Sequence, residues 1–151
     1  MTKSITDHLL TECMYFTANQ LARAITRLAE EEFRVTGLSP TYAFLMIVVN
    51  DQPGISQKEL GEILHIAPST ITRFIEKLQN KDLVYSKQHG RQSLIYPTEQ
   101  GKKLLPVIEE AWMKLYRRYC DVIGEQFAIQ LTEEMYQVGL QLEKKLNKKK
   151  Q

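Results

Sequence analysis

Between Ile55 and Pro97 the hydrophobic period of the chain changes, and that change limits it to few architectures. Ser56, Gln57, Lys58 and Glu59 spell a capping box, in which the serine oxygen and the glutamate carboxylate each satisfy an orphan backbone donor. The short helix behind it is expected to pack through Leu60, Ile63 and Leu64 and to end near His65. Pro68, suited to a first helical position, opens a second helix with Ile71, Phe74, Ile75 and Leu78 at i, i+3, i+4 and i+7. Two helices joined by a turn of about three to four residues make a helix-turn-helix unit. The period then becomes that of strands. Leu83 to Tyr85 reads as a strand, Ser86 to Ser93 as a polar loop, and Leu94 to Tyr96 as a returning strand closed by Pro97. The result is a β-hairpin with a basic tip.

The flanks are helical. From Thr6 to Arg34, Leu9, Cys13, Phe16, Leu21, Ile25 and Leu28 follow helical spacing with no proline or glycine before Gly37, which predicts one long helix. Ser39 and Pro40 announce a helix through Val49 that is apolar all round, hence a central core element, and Asn50 to Gly54 break it. Thr98 is placed to cap a long helix carrying Leu104, Leu105, Ile108, Trp112, Leu115 and Tyr119, with Pro106 as a site for a kink. A last helix is predicted to begin after Thr132 and to run through Met135, Val138, Leu142 and Leu146.

Charge separates these regions although the net value is only +2. Residues 52–103 hold 8 basic against 5 acidic side chains, whereas residues 1–51 hold 4 against 6. Five of the last eight residues are lysine, a solvated tail. The absence of a long apolar run or a signal-peptide core leads to the expectation of a cytoplasmic protein with no membrane association. His8, His65 and His89 are dispersed, and neither a phosphate-cradling glycine loop nor a nucleophile elbow occurs, so no enzyme, metal or cofactor is expected.

On the helix from Pro68 to Asn80, Ile71, Phe74, Ile75 and Leu78 share one face, while Ser69, Thr70, Arg73, Glu76 and Lys77 occupy the other. Small hydroxyl residues let a backbone approach a groove and can bond phosphate or base edges, and Arg73 can reach guanine bidentately. The hairpin tip adds Lys87, Gln88, His89, Arg91 and Gln92. A basic hairpin beside a helix-turn-helix suits a winged helix, in which the second helix enters the major groove of double-stranded DNA and the wing touches backbone or minor groove.

The run Ile55-Ser56-Gln57-Lys58-Glu59-Leu60-Gly61, the run Pro68-Ser69-Thr70-Ile71-Thr72-Arg73 with Ile75, Leu78 and Leu83, and the wing ending in Thr98-Glu99-Gln100-Gly101 resemble the MarR (multiple antibiotic resistance regulator) transcription factors. The resemblance covers essentially the whole chain. It implies a mainly α fold with a small β-hairpin wing, a winged helix-turn-helix core and long N- and C-terminal dimerisation helices. It also implies a homodimeric repressor of a pseudo-palindromic operator, released by a small phenolic or anionic effector. By position it places Ser69, Thr70, Thr72 and Arg73 in the groove and makes Arg91 the wing arginine. Three departures stand out: His89 where the family has an acid, Pro97-Thr98 where it has Leu-Thr, and Ala67 where an acid often caps the recognition helix.

The expected organisation over residues 1–151 is a winged-helix lobe at 37–103, dimerisation helices at 1–36 and 104–147, and a basic tail at 148–151. Leu9, Phe16, Leu131, Met135, Val138 and Leu142 would face water in a monomer, and a second chain would cover them. The DNA-binding set is Ser69, Thr70, Thr72, Arg73, Lys77, Lys87, His89, Arg91 and Gln92, and Tyr15, Phe16 and Trp112 are candidates to line an effector pocket. One branch of the family senses hydroperoxides through a cysteine that would fall at Tyr15 here. Cys13 lies two residues away and reads as structural, with a redox-sensing regulator as the alternative. A winged-helix adaptor for protein partners is the other alternative.

Overall fold

The computed structural model describes residues 4–150. Met1 to Lys3, at the start of the first expected dimerisation helix, and Gln151 of the basic tail lie outside the described residues. The chain divides into two compact units between Met113 and Lys114. Its elements in order are α1 (Ile5–Glu12), α2 (Met14–Phe33), a 3-10 turn (Arg34–Thr36), α3 (Pro40–Asp51), β1 (Ile55–Ser56), α4 (Gln57–Leu64), α5 (Pro68–Asn80), β2 (Val84–His89), β3 (Gln92–Pro97), α6 (Glu99–Ile123) and α7 (Glu125–Lys148).

The core of the first unit gathers around α3, as its all-round apolarity requires: Ala43, Leu45, Met46 and Val49 are buried. Phe33 of α2, Leu60 of α4, Ile71, Ile75 and Leu78 of α5, Ile95 of β3 and Ile108 of α6 are buried as well. A three-stranded antiparallel sheet, ordered β1-β3-β2, closes the lobe. Its β1 was not expected from sequence; two residues long, it shows no readable period, and it pairs Ile55 with Ile95 and Ser56 with Leu94. The Thr98 hydroxyl donates to the Asp82 carbonyl at 2.6 Å and accepts from Gly101 N–H at 3.0 Å. That side chain therefore both caps α6 and ties it to the turn after α5.

Several expectations are corrected. The first helix is two helices, interrupted at Cys13 (φ −91°, ψ 117°), where neither proline nor glycine stands. Nothing in α1 is buried, so no packing holds the two segments in line. The polar loop expected at Ser86 to Ser93 is mostly strand: pairing continues from Val84↔Pro97 to His89↔Gln92, leaving only Gly90 and Arg91 as the turn. Gly90, at φ +61°, takes the first central position of that turn, which a side chain would strain. The last helix begins at Glu125 instead of after Thr132, whose hydroxyl donates to the Ala128 carbonyl inside α7. The break falls at Gly124, whose φ of 87° with ψ of 141° suits glycine alone. Ser39 takes the N-cap position of α3 without a side-chain capping bond, and Ile63 of α4 is exposed instead of packed; Pro106 lies inside α6.

Candidate nucleic-acid interface

The interface is built from α4 outward. The Ser56 and Glu59 capping box is formed, with Glu59 N–H donating to the Ser56 hydroxyl at 3.1 Å and Ser56 N–H to the Glu59 carboxylate at 3.4 Å. At the other end His65 adopts the left-handed conformation (φ 53°) as the C-cap, turning the chain within three residues into α5. Pro68 sits in the first turn of α5, and Ala67 at its N-cap provides no side-chain capping bond.

Burial of Ile71, Ile75 and Leu78 fixes the roll of α5. Ser69, Thr72, Arg73, Glu76 and Lys77 are consequently exposed together, and Thr70 is half-buried at the margin. Two of these side chains are held by neighbours that the sequence does not mark. Lys77 lies with Nζ 5.8 Å from the ring centroid of Tyr42, which packs on Phe74 at 4.5 Å. Thr72 donates to the Pro68 carbonyl at 3.1 Å and accepts from the Gln57 amide of α4 at 2.7 Å. Among the described residues, neither Arg73 nor Arg91 makes an ion pair with a carboxylate.

The wing's two faces alternate as strand geometry demands. Val84, Ile95 and Pro97 are buried on the inner face, where Gln79 of α5 donates to the Ser86 hydroxyl at 3.0 Å. On the outer face Tyr85 and Tyr96 stack across the strands with centroids 5.4 Å apart, and Lys87 Nζ lies 5.8 and 5.3 Å from the two rings. His89 and Gln92 pair at the end of the ladder, Arg91 occupies the turn, and all three are exposed. The sequence reading places both tyrosines in strands but Lys87 in the loop, so their stack with Lys87 goes unmarked; a period of two through Tyr85, Lys87 and His89 is the signal that could have found it.

The other candidates are more scattered. Tyr15 and Phe16 meet edge to face at 5.3 Å, and both are exposed, as is Trp112. Cys13 is half-buried at the interruption between α1 and α2. Among the described residues no three histidine, cysteine or acidic side chains are placed to hold a metal ion, and no helix is long and apolar enough to cross a membrane.

A capped helix-turn-helix followed by a two-stranded wing on a helical core defines a winged-helix protein. Residues 38–91 match the model of the MarR family. Over 91 residues the chain is 28% identical to YybA of Bacillus subtilis (strain 168), an uncharacterized HTH-type transcriptional regulator; the match covers 58% of this chain and 61% of that protein's length. Among solved structures, the transcriptional repressor CouR bound to a 23-mer DNA duplex superposes with a TM-score of 0.81 at 13% identity, covering 91% of this chain and 99% of that one. The PcaV transcriptional regulator from Streptomyces coelicolor, in complex with its natural ligand, does so with a TM-score of 0.76 at 19% identity, covering 92% and 97%. The family match lies within the winged-helix lobe, which is therefore similar to that of MarR-family transcriptional regulators.

Proposed function

We propose that the chain is a cytoplasmic, homodimeric repressor that binds a pseudo-palindromic site in double-stranded DNA and leaves it when a small phenolic or anionic effector binds. The observation that carries this reading is one exposed cationic surface drawn from two elements. Ser69, Thr72, Arg73 and Lys77 stand opposite the buried face of α5, and Lys87, His89, Arg91 and Gln92 stand at the wing tip. An uncapped helix start adds backbone dipoles favourable to phosphate. The DNA-bound structure of CouR supports the choice of partner, and the ligand-bound structure of PcaV supports an effector.

Dimerisation is supported by the apolar side chains that each unit leaves in water. Leu9 and Phe16 in the first, and Met135, Val138 and Leu142 in the second, are exposed, and Leu131 is half-buried. A two-fold partner would cover them and set two recognition helices about one DNA turn, roughly 34 Å, apart. An effector then acts by binding the DNA-free conformation more tightly than the bound one.

Fluorescence anisotropy against the duplex upstream of its own gene tests the reading. A specific site binds at least about 10³ times tighter than a scrambled duplex, with affinity falling steeply as salt rises. Equal binding to both duplexes would refute it in favour of a protein-docking adaptor.

A further inference from the structure

Thr72 is an exposed side chain on the cationic face of α5, yet its hydroxyl is already committed inside the protein. The Pro68 carbonyl, 3.1 Å away, can only accept, so it takes the single hydroxyl proton. The Gln57 amide, 2.7 Å away, must then be the donor, which also fixes which way that amide is turned. A hydroxyl in this state has no proton left for a phosphate oxygen, for guanine O6 or N7, or for thymine O4. Its oxygen keeps one lone pair, which can accept from adenine N6 or cytosine N4, and what Thr72 has left to offer a thymine is its methyl group.

Threonine in a helix divides between two rotamers, because its oxygen can reach the carbonyl of the preceding turn from either. The Gln57 donor, fixed at the first position of α4 directly behind the Ser56 cap, favours the one rotamer that also reaches Pro68. Selecting the rotamer selects where the methyl stands. The bond also spans the two helices of the helix-turn-helix, so it registers α4 against the exposed face of α5.

We propose that Thr72 reads DNA through its methyl group, in contact with the methyl of a thymine, and that Gln57 is the positioning residue that holds it there. The proposal rests on the DNA-binding reading above. It reverses the role that a hydroxyl residue on such a face suggests, which is to donate to phosphate.

The test is selection from a duplex library randomised over about two helical turns, using the full-length protein and three variants, followed by anisotropy on the selected duplex. Wild type enriches a thymine that Thr72→Ser no longer prefers and Thr72→Val still does. Replacing that thymine by deoxyuridine, which removes only the methyl, weakens wild type about fourfold, the worth of one methyl taken from water, and leaves Thr72→Ser unchanged. Gln57→Met blurs the preference at that one position, while the remaining preferences and the melting temperature stay in place. A purely structural role for Gln57 would move the melting temperature and all positions together, and that outcome overturns its part.

If Thr72→Ser keeps the thymine preference and Thr72→Val loses it, the hydroxyl is the reader and the proposal falls. It falls equally if deoxyuridine binds wild type as well as thymine does. If wild type enriches no sequence at all, the DNA-binding reading fails, and the methyl proposal fails with it for that separate reason.

Discussion

α5 and α7 are both amphipathic, but only α5 buries its apolar face within its own unit. In α5 Ile71 and Leu78 are fully buried, and everything opposite them is polar and exposed. In α7 Ala128 is the one buried residue, while Val138 is 41% exposed, Leu142 57% and Leu146 64%. The α5 face is a finished object, with its roll fixed by the core and its outward side chains held by Tyr42 and Gln57. The α7 face is open. The lobe that presents the cationic surface is complete in one chain, and the exposed apolar face of α7 is what the proposed dimer would cover.

The contrast breaks most directly on leucines of the two helices. Leu78→Ala removes a fully buried side chain and is expected to cost about 2–5 kcal/mol, read from the midpoint of equilibrium denaturation. Leu142→Ala, measured at chain concentrations low enough to dissociate a dimer, changes stability by no more than about 0.5 kcal/mol. It instead moves the concentration at which dimers form, read by analytical ultracentrifugation. Equal losses from the two at every dilution would mean that α7 is as self-sufficient as α5.

Within the cationic surface the same distinction recurs on a smaller scale, between a helix anchored in the core and a hairpin tip that is not. Arg73→Ala should cost about 1–3 kcal/mol on a selected duplex and relax base preference at one position, because α5 holds the guanidinium at a fixed depth. Arg91→Ala, in a two-residue turn, should weaken selected and random duplexes alike and reduce the salt slope by about 1. Anisotropy titrations across a salt series separate these outcomes. A sequence-dependent loss from Arg91→Ala would make the wing a reader of bases.

What the sequence discloses follows the same division. Ser56 with Glu59, Pro68, and the Ile71, Ile75 and Leu78 stripe are legible because capping and burial have local signatures, and the structure follows them. Cys13 carries no breaker, so an interruption in an unpacked helix left no trace to read. The wing was misread for a different reason. From Lys87 to Ser93 its residues are polar on both faces and its strands are held by cross-strand pairing and the turn at Gly90, which propensity does not encode. Gln57 was read only as part of a cap, because its bond to Thr72 joins residues fifteen apart and depends on how α4 crosses α5. Gly124 was visible, but the apolar spacing around it offered no stop, and Thr132 drew the helix start eight residues too late.

The smallest expected effect concerns how the second unit holds its own turn at Gly124. Tyr116 donates its phenol proton to the Glu125 carboxylate at 3.0 Å, across the break between α6 and α7. That hydrogen bond, with lesser contributions from desolvation and from Cys120, pushes the phenol from 10.0 up to about 12. The folded chain thus keeps a proton that the unfolded chain gives up sooner. The contribution of the bond is fully present below pH 10.0 and is lost as pH rises through about 12. Burial raises Tyr119 as well, so the reading must be a difference. Phenolate absorbance of wild type minus that of Tyr116→Phe isolates one group titrating near 12, and Glu125→Gln brings it back toward 10.0. A difference curve centred at the ordinary tyrosine value would mean that the clamp does not hold in solution. The turn would then depend on Gly124 and on whatever covers the exposed face of α7.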